Sequence, residues 1–533
     1  MSLKEHETQS GFEEQVLTNI AEDIAHTQDY AAANFDIRTK KQRMRQIIHY
    51  GLLALLFALL TGLTPTILPI FPLYSIVPAL FLLLYIFFTR RVFESLTLSI
   101  ILGFLMGGSI DAFDGSGFFE SINTSLINNV ANENTAWLFI VCGLMGSFIA
   151  LIEKAGGVYA FGVWVAKRAK SRKATLLWTW LLGMIIFIDD YLNSLTVGSC
   201  MAPLTDKHKV SREYLAYVVD TTAAPTTTIV PVSTWAVFIA ALYTQTVQAR
   251  GMTDMPQNGL LVFVSSIPFN FYSIISLLVV PLTIFGLVPM LGKMKKAEKR
   301  ASETGVLAPP GSEKIDIRAG EALMEQKNAN VINFFLPLIV LIGTTLYFDL
   351  DLQWGVISTL GFMFIFYLVQ GLLDADEFFT LLIKGFKNML MPLIMVILAY
   401  MFADGLNSLG FSEYTEGFVS ANVPIWILPA LIFLVFGFTE FIMGLSWGMY
   451  AFAIPMVTGL AWQMGVNPAI LIAAVVSAGV WGSHICFYSD ATILSSSAAG
   501  CDNYEHATSQ LPYGLIAAGL SLVLFVLTGL FFM

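Results

Sequence analysis

Asp189 and Asp190 stand side by side at the end of an apolar run, Ala174 to Phe187. A carboxylate at the centre of a membrane helix costs about 2.5–3.5 kcal/mol on insertion scales. Two in succession are tolerated only where they meet water, a cation or a proton. On a helix Asp189 shares a face with Asn193 and Thr196, while Asp190 points about 100° away. The two acids therefore need not share one role, and both are candidate carriers of a cation or a proton. Asp189, Asp190 and Asn193 form the candidate Na+ site. The plainer alternative is a helix-end pair solvated in a loop.

A second set runs from Asp220 through Thr221, Thr222, Pro225, Thr226, Thr227, Thr228, Pro231 and Ser233 to Trp235. The two prolines rule out a regular helix, yet apolar flanks keep the segment at membrane depth. A break of this kind frees backbone carbonyls, and hard cations favour oxygen donors. Thr226, Thr227, Thr228 and Ser233 are the candidate neutral donors, and Asp220 is a ligand or relay. Threonines that merely satisfy their own backbone would explain the hydroxyls but not Asp220.

A third set, Trp481 to Thr492, carries His484, Tyr488, Ser489 and Asp490 in another interrupted apolar segment. Glu440 lies in the apolar run Phe436 to Met443. It reads as the second-half partner of Asp189. Asp502, Glu505 and His506 follow in a polar stretch and read as solvated.

The elements that must position these residues are membrane spans. The chain has 533 residues, 56% hydrophobic and 12% charged, with a mean hydropathy of +0.72. A soluble chain needs about twice that charge. About twelve stretches are long enough to cross a bilayer, some of them interrupted, and none alternates as a β-barrel strand does. The expected fold is an all-α polytopic membrane protein with broken and re-entrant helices. No phosphate-binding loop, nucleophile elbow or zinc-helix motif occurs, which argues against ATP-driven pumping and enzymatic chemistry. A nucleic-acid role lacks a basic surface. The four cysteines have no metal-ligand spacing and read as small hydrophobes.

Residues 1–45 form an acidic tail without a signal-peptide core. The basic residues Arg38 to Arg45 precede the first span, and Lys293 to Arg300 open a polar linker. Both clusters predict a cytoplasmic side, and so a cytoplasmic N-terminus. The linker, 293–328, separates a first membrane half, 46–292, from a second, 329–533. The basic stretches Lys167 to Lys173 and Lys207 to Arg212 conflict if a single crossing joins them. A re-entrant hairpin through Ile188 to Asn193 removes the conflict. The halves also repeat their features in order: Phe187-Ile188-Asp189 resembles Phe438-Thr439-Glu440, and Pro231 to Thr234 resembles Tyr488 to Ala491. Transporter repeats leave this kind of internal symmetry.

Two motifs resemble the NhaC-type Na+/H+ antiporter family of the ion transporter superfamily. One is Asp189 to Gly198, continuing through Asp220, Ala223-Ala224-Pro225 and Pro231 to Trp235. The other is Ser489 to Ser496, followed by His506 and Gln510 to Tyr513. The resemblance covers about residues 45 to 533. It implies two inverted repeats with re-entrant hairpins and exchange of a cation for protons in the cell (inner or plasma) membrane. Na+ and H+ are then transported ions, and no cofactor is needed. One branch of the family resembles malate–lactate exchangers, so the alternative cargo is a small organic solute, a carboxylate or amino acid. The family pattern Gly-Asp-His-Cys-Ser-Pro-Ile-Ser-Asp is here Gly482 to Asp490, with Ser483 in place of the acid and Phe487 in place of the proline. Aromatics at 487 and 488 suit an organic ligand. On this reading the two breaks face a shared cavity, where Trp235, Phe487 and Tyr488 contact a solute and His484 or Asp490 fixes its polar end. The partners are that small ion or solute and the bilayer. Oligomeric state stays open, a homodimer included.

Overall fold

In a computed structural model the described residues are 48–64, 66–67, 72–89, 91–107, 116–156, 160, 164, 168–310, 312, 330–348, 351–444 and 446–533. The acidic tail, and the linker from 313 to 328, lie outside them. One unit, Met1–Ile70, contributes the apolar helix Ile48–Thr64. The second unit, Phe71–Met533, carries the rest.

Helix is the regular element throughout the described residues, and no strand occurs among them. The first half runs α1 (Val77–Thr89), α2 (Val92–Gly107), α3 (Ser116–Ala131), α4 (Glu133–Lys154), α5 (Arg172–Ile185), α6 (Asp190–Lys207), α7 (Arg212–Thr227) and α8 (Thr234–Ala249). Then follow α9 (Gly259–Ser266), α10 (Phe271–Phe285) and α11 (Gly292–Thr304). The second half runs α12 (Ile332–Tyr347), α13 (Leu352–Val369), α14 (Ala375–Asn388), α15 (Leu390–Asn407), α16 (Phe411–Asn422), α17 (Leu428–Met443), α18 (Ser446–Met464), α19 (Pro468–Ile485) and α20 (Asp490–Ala499). The long α21 (Asn503–Phe532) closes the chain.

The protein is an all-α polytopic membrane protein. Five of these helices are long and apolar enough to cross a bilayer, or six if the pair bent by 48° at Asn270 is one span. Among the described residues this is fewer than the dozen stretches in the sequence, and apolar runs such as Phe93–Gly107 and Ile332–Tyr347 form shorter helices. Leu515, Leu520, Val523 and Leu527 of α21 are exposed, a lipid-facing stripe.

The two halves repeat with one register. Helix starts recur 256 residues on: 172 to 428, 190 to 446, 212 to 468 and 234 to 490. Hydrogen bonds recur with them. Ser233 Oγ donates to Thr227 O at 2.6 Å, and Ser489 Oγ donates to Ser483 O at 2.9 Å. Thr234 N donates to Ile188 O, and Asp490 N donates to Gly444 O. In this register Glu440 falls five positions before the counterpart of Asp189, so the two acids are not equivalent. The similar Phe-x-acid strings misled because one acid sits at a helix break and the other one turn before it.

The segment α5–α6 is a re-entrant hairpin. Asn193 Nδ2 lies 2.6 Å from Gly183 O and 2.9 Å from Ile186 O. Ten residues of unbroken helix span about 15 Å, so the chain must double back between them. Its two ends meet the same helix: Glu298 of α11 pairs with Arg172 at the start of α5 and accepts Ser211 N at 2.9 Å, just past α6. Both basic stretches therefore lie on one side, as the charge conflict required.

The second hairpin, α17–α18, enters from the other side. Helix α21 starts beside α11, where Glu505 pairs with Lys293 at 2.9 Å. Further along the same helix, about 36 Å on, Gly529 abuts the backbone of Trp426, just before α17. At the far end of α18, Trp462 Nε1 donates to Asp254 beyond α8. The broken spans α7–α8 and α19–α20 cross in opposite senses. Arg212 opens α7 and donates to Ala499 O at the end of α20. Opposed hairpins and opposed crossings make the repeat inverted. Cysteines introduced singly at Lys173, Lys207 and Thr253 in a cysteine-free background test this. An impermeant maleimide labels Lys173→Cys and Lys207→Cys from one face and Thr253→Cys from the other; labelling of positions 173 and 207 from opposite faces rules out the hairpin.

Candidate ion and substrate site

Four helix starts meet inside the second unit. The start of α8 touches that of α6, where Thr234 Oγ1 donates to Asp189 Oδ2 at 3.2 Å. The start of α6 touches that of α20, where the Tyr191 hydroxyl donates to Asp490 Oδ2. The start of α20 bonds to Gly444 before α18. The ring closes where Trp235 of α8 stacks on Trp447 of α18, centroids 4.3 Å apart. Each start presents N–H groups that lack a partner within the helix, and about half a positive charge. Asp189, Asp190, Glu440 and Asp490 gather at these ends, and none of the Lys or Arg ion pairs among the described residues reaches them.

The acids differ in what holds them. Asp189 is the N-cap of α6: its Oδ1 accepts Tyr191 N at 3.0 Å and Leu192 N at 3.1 Å. With Oδ2 on Thr234 its carboxylate is fully engaged, as a fastener of the hairpin tip. Asp190 is 4% exposed, and its Oδ1 has no hydrogen-bond partner. Glu440 is wholly buried; Oε1 accepts Ser446 Oγ at 2.9 Å, and Oε2 has no partner. Asp490 is half-buried, and besides Tyr191 it accepts its neighbour Ala491 N at 2.9 Å. The amide of Asn193 also donates to Thr222 O at 3.0 Å, while its buried Oδ1 stays unpartnered. Of the candidate Na+ trio, Asp190 Oδ1 and Asn193 Oδ1 are left open.

The threonine-rich break mostly serves its own backbone. Thr227 donates to Ala224 O, and Thr228 to Ala224 O, Pro225 O or Ser273. Ser233 caps α8 through Ala236 N at 3.0 Å. Thr226 Oγ1 keeps no partner. Ser489 plays the same capping part for α20, accepting Thr492 N at 3.2 Å.

Asp220 anchors a second polar cluster. Its Oδ2 meets His506 Nε2 at 3.2 Å and Gln510 Nε2 at 2.7 Å. Ser495 Oγ donates to Oδ1 at 3.4 Å. His484 Nε2 lies 3.1 Å from the carbonyl of Asp220, with Nδ1 3.1 Å from the Tyr272 hydroxyl. A cavity of about 10 Å³ opens beside Thr221, Tyr272, His484 and Gln510, the size of one water. His506 is thus not solvated: it is fully buried, because α21 turns it inward while Glu505 faces Lys293. Its company with Gln510 in the family motif was the available signal. Tyr191, Tyr272, Trp447, Ser495 and Gln510 lay outside the expected site.

The aromatic expectation divides. Trp235 packs against Trp447 and, edge-on, Tyr450 at 5.2 Å. The Trp235 and Trp447 indole N–H groups have no partner. Tyr488 donates to Ile442 O at 2.7 Å, and Phe487 packs against Phe441 and Tyr504. Backbone carbonyls freed at the end of α17 draw Tyr488 there, away from the Trp235 stack.

A family model described as the Na+/H+ antiporter family matches residues 226–530, more than half of the chain. The chain belongs to the Na+/H+ antiporter family. This secondary transporter is 28% identical over 492 residues to an uncharacterized protein of Haemophilus influenzae (strain ATCC 51907 / DSM 11121 / KW20 / Rd), covering 86% of the chain and 91% of the relative. Among solved structures, Neisseria gonorrhoeae MtrF, reported as illuminating a class of antimetabolite efflux pumps, aligns with a TM-score of 0.52. The alignment covers 78% of this chain and 85% of MtrF at 12% identity, a likeness of fold.

The two neighbouring acids separate experimentally. Asp189→Ala removes a cap and a buried side-chain bond, and lowers stability by about 1–2 kcal/mol. Asp190→Asn leaves unfolding in detergent at the parental temperature. Equal losses in thermal unfolding contradict this division.

Proposed function

We propose that this transporter exchanges a monovalent cation, Na+, for protons across the cell membrane, with its N-terminal tail and its 293–328 linker cytoplasmic. The observation that carries this reading is the pair of unpartnered buried carboxylate oxygens, Asp190 Oδ1 and Glu440 Oε2, at a centre that no Lys or Arg pair reaches. A buried carboxylate must be protonated or paired with a cation. Those two states, each excluding the other at one group, are what an exchanger needs. Asp190 is the principal carrier, with Asn193 Oδ1 and the Thr226 hydroxyl as neutral donors for Na+. Glu440 and Asp490 set the charge around it. Asp220, with His484, His506 and Gln510, relays protons toward the α11 side, and Asp189 holds the hairpin tip in register.

One observation favours a second reading, in which the same site drives a small organic solute. Trp235, Trp447 and Tyr450 line the acids with two unpaired indole donors. Apolar walls with a few placed polar groups suit organic ligands, and MtrF is described as an efflux pump for antimetabolites.

Proteoliposomes with an imposed pH gradient distinguish these. Na+ addition dissipates the gradient in the parent protein, and Asp190→Asn lowers that exchange by 100-fold or more while Asp190→Glu retains part of it. Near-normal exchange in Asp190→Asn refutes its role. Exchange that requires an organic carboxylate or amino acid, with Na+ alone inert, selects the second reading.

A further inference from the structure

A pocket of about 450 Å³ lies away from the central acids, between the starts of α5 and α7, the end of α10 and the helix α11. Its rim carries Arg172 and Lys173 of α5 and Lys295 and Lys299 of α11. The one acid in the lining, Glu298, is already committed to Arg172 and to the backbone of Ser211. Lys299 makes only a long contact, 3.9 Å, with Glu303, both side chains well exposed. Lys173 and Lys295 form no ion pair among the described residues. The pocket therefore has a surplus of positive charge drawn from two elements more than a hundred residues apart.

The rest of the lining is of another kind. Leu176, Ile284 and Met290 give it an apolar floor. Hydroxyls complete it: Tyr214 and Thr283, bonded to one another at 2.9 Å, and Ser302. Beside Ile284, Phe285 and Leu287 are 54% and 74% exposed apolar side chains, so the mouth of the pocket borders the lipid-facing surface. Lysines over an apolar floor, at the level where spans end, match a phosphate group joined to a hydrophobic body.

We propose that this pocket binds a phosphate-bearing anion, with the phosphate among Lys173, Lys295 and Lys299 and the remainder of the molecule on Leu176, Ile284 and Met290. The two sources of that chemistry are an anionic phospholipid headgroup and a free phosphate ester. The bound anion bridges α5, an arm of the first hairpin, to α11, and so ties the hairpin to the segment that opens the linker.

The test uses the full chain in detergent, with thermal unfolding and native mass spectrometry as readouts. The probes are phosphatidylglycerol, phosphatidylcholine, glycerol 1-phosphate and inorganic phosphate. The variants are the triple Lys173→Ala/Lys295→Ala/Lys299→Ala and, as a charge control on the same face, Lys207→Ala/Lys209→Ala. Phosphatidylglycerol is expected to raise the unfolding temperature and stay bound, with an affinity lower by on the order of 100-fold in the triple variant and unchanged in the control. The same pattern with glycerol 1-phosphate or inorganic phosphate, and no preference for the lipid, assigns a soluble phosphate ester. Equal binding of phosphatidylglycerol by parent and triple variant, an equal loss in the control, or no binding of any probe overturns the proposal.

Discussion

A helix interrupted inside a bilayer uncovers N–H and C=O groups that no lipid can satisfy, and this protein interrupts helices four times at its centre. Everything near the site follows from how those groups are closed. Asp189, Ser233 and Ser489 cap their helices with side-chain oxygens. The remaining groups are closed across elements: Ile188 O takes Thr234 N, and Gly444 O takes Asp490 N. Local caps alone close none of these breaks, so each interruption is tied to another element. Each hairpin tip is bonded to the crossing helix of its own half. The halves then meet through Tyr191 and Asp490 and through the Trp235–Trp447 stack.

The same closure sets the electrostatics. Four helix starts, each equivalent to roughly half a positive charge, offset about two of the four carboxylates gathered there. The residue favours a cation or protons, and leaves little attraction for a free anion. This is why Asp189 and Asp190, adjacent in the chain, behave unlike each other. The N-cap position directs Asp189 Oδ1 at its own helix, and Thr234 of α8 takes Oδ2. One residue later the side chain points elsewhere, toward the Trp235 indole and Asp490, and its Oδ1 has no hydrogen-bond partner.

Much of this was legible in the residues. Apolar runs mark a polytopic membrane chain, the two prolines mark the first-half break, and two basic stretches on either side of one apolar segment demand a hairpin. The order of features exposed the repeat. Its register was not legible, because it resides in backbone bonds between breaks, and side-chain similarity drew Glu440 onto Asp189. Nor was the burial of His506, since a helix in a polar stretch alternates inward and outward faces at 100° per residue. Aromatic residues were the least readable. Phe487 and Tyr488 looked like ligand contacts, but Tyr488 follows the carbonyls that the end of α17 leaves free, and Phe487 packs on Phe441 and Tyr504.

The constant register also says how the two half-sites differ. Asp190 corresponds to Ser446, and Asp490 to Thr234: each half supplies one acid at a helix start, one on the hairpin and the other on the crossing helix. Tyr191 corresponds to Trp447. The inverted halves therefore share a backbone but exchange chemistry, so the polar contact between α6 and α20 is matched by an aromatic one between α8 and α18. Alternating access by inverted repeats requires two arrangements of similar energy. A backbone that repeats gives both arrangements the same closure of their breaks. On the function proposed above, unequal contacts, a carboxylate hydrogen bond on one side and a ring stack on the other, would let the protonation or cation occupancy of the acids decide between them.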